Sequence, residues 1–187
     1  MPARRFRPTI GLRISPSAVL SHDGGVGDES FDRLVSVLDY TMFVVTTQAD
    51  GHPSGCLVGF ATQTSIRPPR FLVGLSKNNH TCRVAARSDH LAVHVLSRRH
   101  IGLAHLFGGE TGDQVNKFDQ CSWRTGPEGM PILDDAVGWF VGKTLKRFDL
   151  GDHIGYLLEP VAGDAGEGSD DLVSFTDVAD MEPGHEA

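Results

Sequence analysis

From residue 41 onward the chain alternates short apolar blocks with turn chemistry. TMFVVTT (41–47) is β-branched and aromatic and predicts a strand. ADGHPSG (49–55) reads as a turn, and GCLVGFATQTS (55–65) predicts a second strand, so the two form a hairpin that RPP ends. RFLVGLS (70–76) is apolar enough to be a central strand. HTCRVAARS (80–88) predicts a short helix with Arg83 and Arg87 on one side. HLAVHVLS (90–97) predicts a fourth strand, and RHIGLAHLFG (99–108) a second short helix. Residues 109–129 read as one long loop, a length that usually marks function or disorder. Residues 136–150 and 152–162 predict a long hairpin around Gly151, and LVSF (172–175) a last strand. Upstream, Phe31, Leu34, Val35 and Leu38 share a helical face over 29–38, with Asp28 as its cap.

Six or seven strands in sequential hairpins, with short helices inserted late, favour a mainly β, antiparallel barrel over a doubly wound sheet. No GxGxxG follows a strand, which argues against a dinucleotide fold of the Rossmann type. The organisation expected is an irregular arm over 1–27, one domain over 28–162, and an acidic segment over 163–187.

Composition refines this in three places. The net charge is −7, yet the last 27 residues hold eight carboxylates and no Lys or Arg, so residues 1–160 carry +1. The acidity reads as a solvated tail, and the near-neutral body gives no nucleic-acid footprint. Cys56, Cys82 and Cys121 are far apart without CxxC spacing, which fits a reducing cytoplasm rather than a disulfide framework or zinc site. The basic start is broken by Arg13 and Pro16, so neither a signal peptide nor a membrane span is expected.

Candidate chemistry centres on the polar residues around the third strand. TQTS (62–65) precedes it and SKNNHT (76–81) follows it, just before a predicted helix. One reading makes a phosphate pocket: Ser76, Asn79 and Thr81 donate hydrogen bonds, Lys77 supplies the charge, and the helix start adds its free N–H groups. The plainer local reading has Asn79 or Thr81 capping the helix and Lys77 in solvent. His90 and His94 share a strand face, but the sequence nominates no third metal ligand, and a barrel surface or subunit seam suits them better. Trp123 and Trp139 read as core or interface anchors.

Several ordered pieces together carry a resemblance: MFVVTTQADGHPSG, CLVGFATQTSIRPPRFLVGLSKNNHT, HLAVHVLS, HLFGGETGDQVNKF, CSWRTGPEGMPIL and GDHIGYLLEPV. Over residues 30–162 the chain resembles the flavin reductase-like family of FMN-binding split barrels, the reductase components of two-component flavin monooxygenases. That resemblance implies an antiparallel Greek-key split β-barrel, with flavin against the strand ending at TQTS and its phosphate near SKNNHT. Gly59, Phe60, Ala61, Thr62, Gln63 and Ser65 fall at the flavin-facing positions. Thr62 and Gln63 keep hydrogen-bonding capacity, whereas Gly59 and Ala61 offer only backbone groups. Lys117 and Phe118 match the family's K-F element, read either as closing over the cofactor or as a solvent-facing loop. His153, in GDH (151–153), matches a histidine near the nicotinamide; a turn histidine bonded to Asp152 is the alternative.

The function so implied is hydride transfer from NADH or NADPH to FMN or FAD, with no side-chain acid or base required. A homodimer and a flavin-dependent monooxygenase partner follow from the same resemblance. The alternative is a non-catalytic FMN-binding protein: a carrier, a sensor or a partner-dependent subunit. The tail favours the alternative slightly, because its only aromatic is Phe175 where similar reductases have a tyrosine-containing strand. A haem-binding split barrel would need an axial ligand, and none stands out.

Overall fold

The computed structural model describes residues 29–166 and 171–184. The arm expected over 1–27 lies outside them. Contacts divide the chain into two units, 1–38 and 39–187. In the first, helix α1 (Glu29–Val35) forms where the apolar periodicity predicts it, and Phe31 and Leu34 on it are exposed.

The second unit is built on β1 (Phe43–Ala49), β2 (His52–Val58), β3 (Ala61–Ser65), β4 (Arg70–Ser76), β5 (His90–Val95), β8 (Gly138–Asp149) and β9 (His153–Asp164). They form one antiparallel sheet in the order β2-β1-β5-β8-β9-β4-β3. The mainly β, antiparallel fold is therefore as expected. The two edge strands, β2 and β3, are consecutive in the chain and are joined only by Gly59 and Phe60. A two-residue link cannot cross a flat seven-stranded sheet at 4.7–4.9 Å per strand, so the sheet curls until its edges approach. Inside the curl, Val45, Cys56 and Val58 from one edge meet Val73, Leu75, Tyr156 and Leu158 from the other.

A second core lies on the outer face of β1. There Val44 and Leu96 pack with Leu103, Ala104 and Phe107 of α3 (Ile101–Gly109) and with Val173 and Val178 of the C-terminal segment. Burial on both faces explains why β1 reads as a continuous apolar run rather than an alternating one.

Several expectations are corrected. The predicted strand over 55–65 is broken at Gly59–Phe60 into β2 and β3, because the chain must pass from one sheet edge to the other. Strand β4 lies next to the edge strand β3 rather than at the centre. The long loop contains β6 (Trp123–Thr125), which pairs with β7 (Pro131–Leu133) as a small second sheet. Residues 172–175 form no strand; two isolated bridges, Thr41–Ser174 and Ser97–Leu172, stand in its place. Nor is the described C-terminal stretch a solvated tail. Val173 is fully buried, and Arg98 holds Asp171 at 3.1 Å and Asp177 at 2.8 Å. His94, expected at a surface or seam, is buried instead. Its Nδ1 lies 3.0 Å from the Val44 carbonyl, and its Nε2 accepts from the Leu133 N–H at 3.2 Å.

Candidate functional site

Of the cavities that touch β2, two bring polar and aromatic groups of several elements together. The first, about 210 Å³, lies where the sheet edges approach one another. Its aromatic walls are Tyr40, Phe60, Phe175 and His153, and its polar side chains include Ser76 and Asn79. The Tyr40 and Phe175 rings stack with centroids 5.1 Å apart and planes at 19°. Opposed edge-on, Phe60 and His153 have centroids 5.0 Å apart.

Chain topology brings these groups together. Phe60 is in the two-residue link, exposed because the turn leaves its ring outside the barrel core. His153 begins β9 opposite Ser76 at the end of β4. Tyr40 precedes β1, and its carbonyl accepts from the Phe175 N–H at 2.9 Å. Two glycines give the wall its closeness. A Cβ on Gly59 would stand 2.5 Å from the Tyr40 ring, and one on Gly74 would stand 3.2 Å from Phe60 Cβ.

His153 Nδ1 lies 2.7 Å from Asp152 Oδ1, and this contact draws the Asp152 carboxyl below its usual range. The imidazole is thus held by a neighbour as well as set at the cavity. The bond to Asp152 is the one expected of a turn histidine.

The other expected residues separate into three groups. Thr62, Gln63 and Thr64 are exposed on β3, and Gln63 Nε2 donates back to the Ser65 carbonyl at 3.1 Å. Ala61 and Ser65 are half-buried at the ends of the same strand. Lys77 pairs with Asp149 at 2.8 Å on the surface. Thr81 is buried, its hydroxyl 3.0 Å from that of Ser54. Lys117 is buried too, neither in solvent nor on an open loop, and donates to the Phe107 and Gly55 carbonyls at 2.9 and 3.2 Å.

The helix start expected to bind phosphate is α2 (His80–Ala85), only six residues long. Asn79 caps it, accepting from Thr81 N–H through Oδ1 at 2.8 Å. The Lys77 N–H donates to Asp152 O, and the Asn79 N–H to Ser76 O. The N–H groups of Lys77, Asn78, Asn79 and Thr81 are therefore engaged within the chain.

The second cavity, about 480 Å³, lies between the first half of β2, α2 and the loop over 112–118. Sequence reasoning missed it, as it missed Tyr40 and Phe175 as site residues. Tyr40 and Phe175 are 135 positions apart, and no local pattern links them.

Comparison with known proteins supplies the context for this geometry. Residues 35–179 match the family described as flavin reductase like domain. The match runs past residue 162 into the docked C-terminal segment. An FMN reductase (NADH), RutF, from Ancylobacter novellus is 27% identical over 151 residues, covering 81% of this chain and 83% of that protein. The reductase component of 4-hydroxyphenylacetate 3-monooxygenase from Salmonella typhimurium is 29% identical over 118 residues, 62% of this chain and 68% of that one. Among solved structures, the flavin reductase domain protein of Arthrobacter sp. FB24 superposes with a TM-score of 0.71 at 25% identity, covering 78% of this chain and 89% of that chain.

Proposed function

The chain belongs to the flavin reductase-like family, and from that footing we propose that it is an NAD(P)H-dependent flavin reductase whose working pair is NADH and FMN. The observation that carries the reading is the cavity between the sheet edges. Its flat aromatic side chains suit a planar ring, its glycines let the backbone close on that ring, and its few polar groups suit orientation rather than proton transfer.

Flavin held there would supply the redox chemistry, as the acceptor of the nicotinamide's hydride. The chain's own work is placement. Phe60 and the Tyr40–Phe175 stack line the cavity in which a ring can lie. Ser76 and Asn79 offer hydrogen bonds along its edge, with Lys77 nearby on the surface. Ala61, Thr62, Gln63 and Ser65 lie on β3, the strand that leaves the cavity, where the family resemblance expects flavin contacts. His153, anchored on Asp152, offers its Nε2 side to a carboxamide. Excluding water and fixing the approach of two rings lowers the barrier without any catalytic base.

The matched monooxygenase reductase component supports a further reading, in which reduced flavin passes to an oxygenase partner. A homodimer in the cytoplasm completes the proposal, and no helix among the described residues is long and apolar enough to cross a membrane. The test is NADH oxidation by the purified protein with and without added FMN. Oxidation that requires flavin supports the reading, and bound flavin without turnover selects the non-catalytic alternative.

A further inference from the structure

The second cavity has an unusual floor. Lys117 is 4% exposed, yet no carboxylate among the described residues lies within ion-pairing distance of its ammonium. Two of its three hydrogens are taken by the Phe107 and Gly55 carbonyls, and the ammonium stands 5.6 Å from the centre of the Phe107 ring. Burial lowers its pKa, while Glu110 and Cys56 act on it only as more distant charges. A buried cation without a counter-charge is costly, on the order of several kcal/mol. Glu110 offsets it only from a distance, and no carboxylate among the described residues pairs with it directly.

The mouth of the cavity is cationic or neutral apart from one acid. His52, His80 and Arg87 line it, together with Asp113. The Asp113 carboxylate is already engaged: Arg83 reaches both its oxygens at 2.6 Å, and His80 lies 2.8 Å away. Arg87 reaches Asp50 at 2.7 Å. By contrast, four backbone N–H groups of the SKNNHT turn already donate within the chain.

We propose that this cavity is an anion site that receives a phosphoryl group of a nucleotide, with Lys117 at its floor and His52, His80 and Arg87 around its mouth. The proposal rests on the reductase reading, which supplies two phosphorylated nucleotides. Strand β2 connects the two cavities: Pro53–Gly55 line this one, and Cys56–Val58 line the aromatic one together with Phe60. From Ser54 to Val58, where β2 ends, is about 13 Å of extended chain, within reach of a nucleotide. The phosphoryl group can belong to the flavin or to the nicotinamide dinucleotide, and the same experiment separates them.

The probe is inorganic pyrophosphate, with FMN and riboflavin affinities read by fluorescence quenching. In the unaltered protein, saturating pyrophosphate weakens one nucleotide about ten-fold, as loss of a charge-assisted contact does. A flavin source raises the Kd of FMN and leaves that of riboflavin unchanged. A nicotinamide source raises the KM of NADH and leaves both flavin affinities unchanged. Lys117→Met abolishes the effect, and the His52→Gln/His80→Gln double variant, which keeps the lysine, reduces it. Lys77→Ala leaves it intact. Pyrophosphate that changes neither FMN nor NADH in the unaltered protein overturns the proposal without any variant having to fold. Riboflavin carries no phosphate, so its NADH-dependent reduction reports the reductase reading by itself.

Discussion

Phe60 and His153 meet edge to face, their ring centroids 5.0 Å apart and their planes at 66°. One residue comes from the link between the sheet's two edges and the other from the first position of β9. Their meeting is a direct consequence of the curl, and it defines one wall of the proposed redox cavity. If His153 orients the nicotinamide there, His153→Ala raises the KM for NADH about ten-fold and that for FMN much less. Steady-state kinetics in both substrates checks this; equal effects on the two would remove the histidine from a nicotinamide role.

The closeness of the cavity wall rests on Gly59. A methyl group at that position meets the Tyr40 ring at 2.5 Å, and that ring is itself stacked on Phe175. Gly59→Ala therefore displaces the aromatic pair, costing about 1–3 kcal/mol as an overpacked site. Flavin affinity falls about ten-fold, and a fluorescence titration beside a thermal melt separates the two effects.

Phe175 holds its place because the segment carrying it is docked. Arg98 grips Asp171 and Asp177 from below, and Ser174 and Asp177 form a reciprocal cap. These ion pairs are exposed, so Arg98→Ala leaves the melting temperature nearly unchanged. The same change speeds proteolytic cleavage within 171–184 and weakens flavin binding. High salt acts in the same direction on the unaltered protein.

Much of this fold is legible in the sequence. Strand β4 spans the predicted residues 70–76, and Gly151 sits in the hairpin turn with φ of 101°, a conformation that suits glycine. The break at Gly59–Phe60 is hidden because an exposed phenylalanine continues the apolar run. Strands β6 and β7 are three residues each, too short for alternation to register. The site is less legible still. The ordered motifs pointed to the family, to GDH and to Lys117, but neither reading of that lysine, closing over a cofactor or facing solvent, foresaw its burial. Lys117 is buried by carbonyls 10 and 62 positions away, which no window of sequence contains. The acidic tail read as solvated because Arg98, its partner, lies in another element.

A buried neutral histidine makes stability depend on pH. His94 sits between the Val44 carbonyl and the Leu133 N–H, and burial lowers its pKa to about 4 from 6.5. In the unfolded chain the imidazole takes up a proton near pH 6.5, where the folded protein refuses it. The stability is fully present above pH 6.5 and is lost as pH falls towards about 4, by on the order of 3 kcal/mol. Urea unfolding at pH 7, 5.5 and 4.5 measures this loss. In His94→Phe the slope over that window flattens, although the variant is less stable at pH 7 because two backbone groups lose their partner.

The central claim is reduction of flavin by a nicotinamide, and steady-state oxidation of NADH and NADPH with and without added FMN or FAD tests it most directly. The account predicts turnover that depends on flavin, with FMN and NADH the preferred pair. Tight FMN binding with no oxidation of either nicotinamide would contradict it and leave a flavin-binding protein that does not reduce its ligand.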